Sequence, residues 1–144
     1  MKISAIERRW VHEVFDTMYP AGADPRVPLG VRDCDVDGYL DEIQRVWPAF
    51  SLIGFRATVI VIALSSIVLL GTWRTFHRLT SDERIRVLEK LYASRFYVVR
   101  QLVILIKASA GIVYGSTAGV RKHLLRGARE ARSEYGVGHV AKEA

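Results

Sequence analysis

The 144-residue chain has a single cysteine, Cys34, so no disulfide framework holds it together. A lone thiol fits a reducing compartment, and a cytoplasmic location is expected. Four prolines and eleven glycines are too few for a fibrous or low-complexity chain, and 50% hydrophobic residues are too many for disorder. No internal repeat is visible, and no segment alternates apolar and polar residues as a half-buried strand does. Nor does the start read as an export signal. Arg8 and Arg9 form an arginine pair, but Trp10-Val11-His12-Glu13 follows where an apolar run is needed.

What remains is helical pattern and uneven charge. Residues 1–50 carry 6 basic and 9 acidic side chains, and residues 51–144 carry 15 and 6, which together give the net +6. A basic C-terminal half suits nucleic acid, anionic lipid, an acidic partner or plain water, and charge alone does not choose among them.

Six helices are predicted. Residues 4–19 open with a capping box, Ser4 and Glu7, and carry Ile6, Trp10, Val14 and Met18 at four-residue spacing. A breaker-rich loop follows Pro20, and a short helix over 36–47 presents Leu40, Ile43 and Val46 or Trp47 before Pro48 stops it. Residues 50–76 are the most apolar stretch, a very apolar central helix, with 17 uncharged residues between Arg56 and Arg74. That charge-free core is about 26 Å long at 1.5 Å per residue, against a hydrocarbon layer of about 30 Å. Such a helix must be buried in lipid or in protein. If it spans, Arg74, Arg78, Arg84, Arg86 and Lys90 outweigh Arg45 and Arg56 and place the C-terminus in the cytoplasm.

Thr80 and Glu83 make a second capping box, opening a helix to about residue 94 with Ile85, Leu88, Leu91 and Tyr92 on its apolar face. A core helix over 96–114 ends at Gly115, read as its cap. A basic helix over 118–135 carries Val120, Leu124, Ala128, Ala131 and Tyr135 on a thin stripe, and residues 136–144 read as a flexible tail. The expected fold is therefore one all-α bundle: an acidic part (1–50), the apolar helix (50–76), a helical hairpin (80–115) and the basic helix (118–135).

Chemistry is thinly signalled. Asp33, Asp35, Asp37 and Gly38 copy the opening of a calcium loop, but position twelve is Gln44 instead of glutamate and no entering helix precedes it. The competing reading is that Asp35 or Asp37 caps the second helix. His12, His77, His123 and His139 are scattered and read as surface residues; no metal site, phosphate loop or nucleophile elbow is recognisable, and no catalytic residue is assigned. The basic last helix lacks the interleaved aromatics of a base-stacking surface, so nucleic acid is not the expected partner. Arg100, Lys107 and Tyr114 lie seven apart on one line of an apolar helix. They either pair with carboxylates of the acidic half or meet a second protein.

Phe76-His77-Arg78-Leu79-Thr80-Ser81-Asp82-Glu83-Arg84, then Leu88-Glu89-Lys90-Leu91, Ser94-Arg95-Phe96-Tyr97, Arg100-Gln101-Leu102 and Ile106-Lys107-Ala108 up to Tyr114-Gly115 resemble the small-subunit (subunit 3-like) family of gluconate 2-dehydrogenase. This is the family of helical companions of glucose-methanol-choline (GMC) flavin oxidoreductases. The resemblance is good over 76–115 and extends to residues 6–115 in helix order. It implies a non-catalytic subunit that binds and stabilises a larger flavoprotein, with FAD and alcohol or sugar oxidation in the partner and no cofactor in this chain. Ser94, Arg95, Arg100, Lys107 and Tyr114 match recurring positions, and with Trp73 and Phe76 they are the expected partner interface. Two departures are the absent twin-arginine signal, which favours a cytoplasmic complex, and the apolarity of residues 57–73, which leaves open a single-span membrane anchor.

Overall fold

The computed structural model describes residues 2–71 and 73–140. Among these the chain is an all-α bundle of six helices with no strand: α1 (Ala5–Met18), α2 (Val36–Val46), α3 (Ala49–Leu70), α4 (Ser81–Tyr92), α5 (Tyr97–Ser116) and α6 (Ala118–Val140). Short 3-10 turns, Val31–Asp33 and Phe76–Arg78, precede α2 and α4.

Both predicted capping boxes form. The Ser4 hydroxyl accepts from the Glu7 N–H at 3.3 Å while the Glu7 carboxylate accepts from the Ser4 N–H at 2.7 Å. Thr80 and Glu83 repeat the exchange at 3.4 and 2.9 Å. Each box satisfies two backbone donors that the first helical turn leaves without intrahelical partners.

The buried face of α1 shares Val14 with the expected stripe, whose Trp10 and Met18 pack partly buried against the core. Glu7, Val11, Val14 and Phe15 face inward, and Ile6 is exposed. The cause lies in α3, where Arg56 donates to the Glu7 carboxylate through Nε at 2.7 Å and Nη2 at 3.1 Å. Glu7 is only 5% exposed. Burial pushes its carboxyl up, but the bonds from Arg56 and Ser4 outweigh burial and hold it below its ordinary range.

The face of α4 differs from the expected one, and that of α2 resolves between two stated alternatives. In α4 the buried residues are Val87, Leu88 and Leu91, while Ile85 and Tyr92 are exposed. Trp47, the C-cap of α2, continues the α2 stripe where Val46 is exposed, and meets Phe55 edge-on at 6.0 Å. The central helix stops at Gly71, whose left-handed backbone (φ 62°) ends α3 six residues before residue 76, the expected end. Gly115 lies inside α5, which runs on to Ser116 and is capped by Thr117. The expected tail at 136–140 continues α6, and residues 141–144 lie outside the described part.

The core gathers Phe15, Phe55 and Phe76 with aliphatic residues from α1 to α5. His77, expected at the surface, is half-buried, and its Nδ1 accepts from Trp10 Nε1 at 3.2 Å. Burial, and after it the charges of Arg78 and Arg9, push His77 below its ordinary value.

Two outcomes follow. Glu7→Ala should cost about 3 kcal/mol in urea unfolding, because it strands a partly buried guanidinium and removes a cap, and Glu7→Gln about half of that, since an amide oxygen still accepts from Ser4. A loss for Glu7→Ala below about 1 kcal/mol would reduce the pair to its cap alone. A protonated His77 can no longer accept from Trp10. With the folded value lowered, the unfolded chain binds the proton more readily, so this contribution is complete above pH about 6.5 and is lost as pH falls below it. The Glu7 contribution, also from a lowered value, is lost only at lower pH, below about 4.5. Thermal melts from pH 7.5 to 5.5 should show a decline that His77→Asn, which keeps an acceptor without titrating, flattens.

Candidate functional site: an exposed apolar face

The helix α3 is apolar around its whole circumference, so packing one side leaves the other bare. Leu52, Phe55, Val59, Ile62, Ala63 and Ser66 face the core. The opposite side presents Phe50, Ile53, Ile60, Val61, Leu64 and Val68 to solvent, with Phe50 87% and Val68 84% exposed. Their three- and four-residue spacing makes one stripe along the helix.

On α5, Val98, Leu105 and Ile112 recur at seven-residue spacing and are all exposed. Leu105 meets the start of α3 in a groove of about 430 Å³ lined by Trp47, Pro48, Phe50, Ser51 and Gly54. Leu105 of the α5 line thus adjoins the start of the α3 stripe at Phe50, and both helices present apolar side chains to solvent. Both helices are long and apolar enough to cross a membrane by length and composition. Such a face is larger than the scattered apolar residues a soluble surface usually carries.

The residues proposed as a partner interface separate into distinct places. Trp73 is 94% exposed in the α3–α4 connection. Phe76 is 0% exposed and belongs to the core, so in this fold it packs the bundle instead of meeting a partner. Ser94, Arg95 and Arg100 come together at the α4–α5 turn. The Arg100 Nη1 donates to the Ser94 carbonyl at 2.7 Å, and its guanidinium lies 5.8 Å from the Tyr97 ring centre. That of Arg95 lies 4.9 Å from the Phe96 ring centre. Tyr114 stacks on Tyr19 at 5.1 Å and donates to the Leu29 carbonyl at 3.1 Å, holding α5 to α1 and the loop between α1 and α2. Burial, and after it nearby acidic groups, push its phenol up.

Among the described residues, neither Arg100 nor Lys107 pairs with a carboxylate of the acidic half. That pairing is made by Arg56 to Glu7 and by Arg84 to Glu13. Lys107 stays exposed.

The calcium-loop lookalike is taken apart by its surroundings. Asp33 accepts from the Gly30 N–H at 2.9 Å, and Asp35 is the N-cap of α2, accepting from the Gly38 N–H at 2.8 Å. Asp37 turns to Arg8 at 2.9 Å and His12 at 3.2 Å. Gly38 serves the cap, since a Cβ there would fall 2.1 Å from the Asp35 carboxylate. Among the described residues no group of three or more His, Cys, Asp or Glu side chains is placed to hold a metal ion.

Sequence reading missed Phe50, Val68, Phe96, Tyr97 and Ile112 as surface residues. The spacing of the outer α3 stripe was visible, but the inner stripe has the same spacing and the same composition.

Asp35→Ala should lower stability by about 1 kcal/mol through the lost cap, and millimolar calcium should leave the wild-type Tm unchanged. A calcium-dependent rise in Tm that Asp35→Ala abolishes would restore the metal reading. No family model, curated protein or solved structure matches the chain, so the resemblance to gluconate 2-dehydrogenase small subunits is carried by the residues that suggested it.

Proposed function

We propose that this chain is a non-catalytic helical subunit that works by contact, with the α3–α5 apolar face covered by a larger protein chain. The observation that carries the reading is the outer stripe of α3. It runs through a helix of 22 residues, about 33 Å, and among the described residues Phe50 and Val68 stay 87% and 84% exposed. Covering such a face removes apolar surface from water, the dominant favourable term in association. The resemblance supplies the partner's chemistry: a GMC-type flavoprotein that holds FAD and oxidises an alcohol or sugar, in a cytoplasmic complex.

A second reading is a single-span anchor through residues 57–73, favoured by the length and apolarity of α3. Two observations weigh against it. From Ala57 the helix continues only to Leu70, fourteen charge-free residues and about 21 Å. The inner face of α3 also packs on α1 and α4, so a span would carry ion pairs such as Glu7–Arg56 and Glu13–Arg84 toward hydrocarbon.

The deciding experiment is recovery of the tagged chain from its native cells without detergent. A yellow eluate containing a second, larger chain is expected, and Val61→Glu with Leu64→Glu should release that chain while leaving the helical circular-dichroism signal intact. A colourless monomer in the soluble fraction, or recovery from the pellet only with detergent, would overturn the subunit reading.

A further inference from the structure

One end of the bundle carries a second surface of different chemistry. The Lys90 ammonium donates to the Leu69 carbonyl at 3.1 Å, which brings the C-terminal ends of α3 and α4 together. Trp73 lies four residues beyond Leu69, within about 14 Å of chain. The α4–α5 turn exposes Tyr92, Phe96, Tyr97 and Val98 at the same end. Three of these five exposed hydrophobic side chains are amphipathic rings, the type that settles at a membrane–water boundary.

The charge there is of one sign. Residues 86–100 hold Arg86, Lys90, Arg95 and Arg100 against Glu89 alone, and from Lys90 to Arg129 the sequence has eight Lys or Arg and no Asp or Glu. Arg86, Lys90 and Arg95 are exposed. Arg74, nearby in the α3–α4 connection, is already paired with Glu83 at 2.9 Å.

We propose that this end seats on the surface of an anionic lipid bilayer, with Trp73, Phe96 and Tyr97 entering the headgroup boundary and Arg86, Lys90 and Arg95 facing lipid phosphates. Cations of this kind gain from the negative surface potential, and apolar or aromatic side chains among them gain from leaving water. Nucleic acid shares the taste for cations and rings. Here, however, a guanidinium of the chain itself lies over one face of each ring, Arg95 at 4.9 Å from Phe96 and Arg100 at 5.8 Å from Tyr97, which leaves one face at most for a stacked base. The seating is end-on and peripheral. It does not depend on the flavoprotein reading, because it leaves the middle of the α3 stripe free.

The test is co-sedimentation of the full chain, with any companion it brings, on vesicles of phosphatidylcholine alone and of phosphatidylcholine mixed with phosphatidylglycerol. Binding to the mixed vesicles only is expected, with a blue shift of tryptophan emission that Trp73→Phe removes. Arg86→Gln with Arg95→Gln should weaken binding about 30-fold, and Phe96→Ser about tenfold. These positions are exposed, so thermal melts of the variants should match wild type, and co-purification of a larger chain should persist in Phe96→Ser, which alters none of the expected interface residues. Absence of vesicle binding, equal binding to both vesicle types, retention through high-salt and alkaline washes, or displacement by a single-stranded oligonucleotide would each overturn the proposal.

Discussion

The bidentate pair between Glu7 and Arg56 fixes how the first helix lies on the third, and most other long-range contacts of the bundle follow from that placement. With Glu7 drawn inward, Arg8 reaches Asp37 and Asp41 of α2, Trp10 reaches His77, and Glu13 reaches Arg84 of α4 and Arg32. Successive turns of α1 therefore hold different elements. A pair with its carboxylate buried and its guanidinium a quarter exposed depends on both partners being present. The capping box makes the arrangement economical, since the same carboxylate closes the helix end and receives the guanidinium.

This placement also sets where the charge of the chain is spent. The acidic N-terminal part is consumed internally: Glu7 by Arg56, Glu13 by Arg84, Asp16 by Arg32, and Asp37 and Asp41 by Arg8. The cations of the α4–α5 turn and of α5 are left facing solvent or their own backbone. The surplus on the C-terminal side is thus a property of the folded surface as well as of the sequence, and it is available to an external anion.

Local features were legible in the sequence. The two capping boxes, the breaker-rich loop after Pro20 and the apolarity of α3 each depend on residues within one or two turns of one another, and each appears in the fold. The α1 face was legible in part: Val14 is buried and Trp10 and Met18 pack against the core, but Ile6 is exposed, and Glu7 is drawn inward by an ion pair to a residue 49 positions away. Gly115 looked like a cap because glycine commonly ends helices, yet Tyr114 is held against Tyr19 and Leu29, and the helix is carried past it. The α6 stripe promised more core than it provides, with Val120 buried and Leu124 exposed. The outward side of α3 was illegible in principle, because two equally apolar faces differ only in what the rest of the chain covers.

The two lines along α5 separate an apolar edge from a cationic one, and Val98, at the start of the apolar line, belongs also to the α4–α5 end. Val98, Leu105 and Ile112 run along the edge beside α3, whereas Arg100, Lys107 and Tyr114 occupy another line two positions around, roughly 160° away at 100° per residue. A flat surface laid along the bundle cannot meet both edges. A surface met end-on touches the α4–α5 turn, where Arg95, Phe96 and Tyr97 lie, without reaching Ile112 or Phe50. Phe50 sits at the start of α3, and Ile112 lies ten positions beyond Leu102 on a 20-residue helix. The apolar side and the cationic aromatic end are thus different surfaces that meet only at the start of α5. Lys107, exposed on the line away from α3, lies outside the apolar seam, so covering the seam does not bury an unpaired charge.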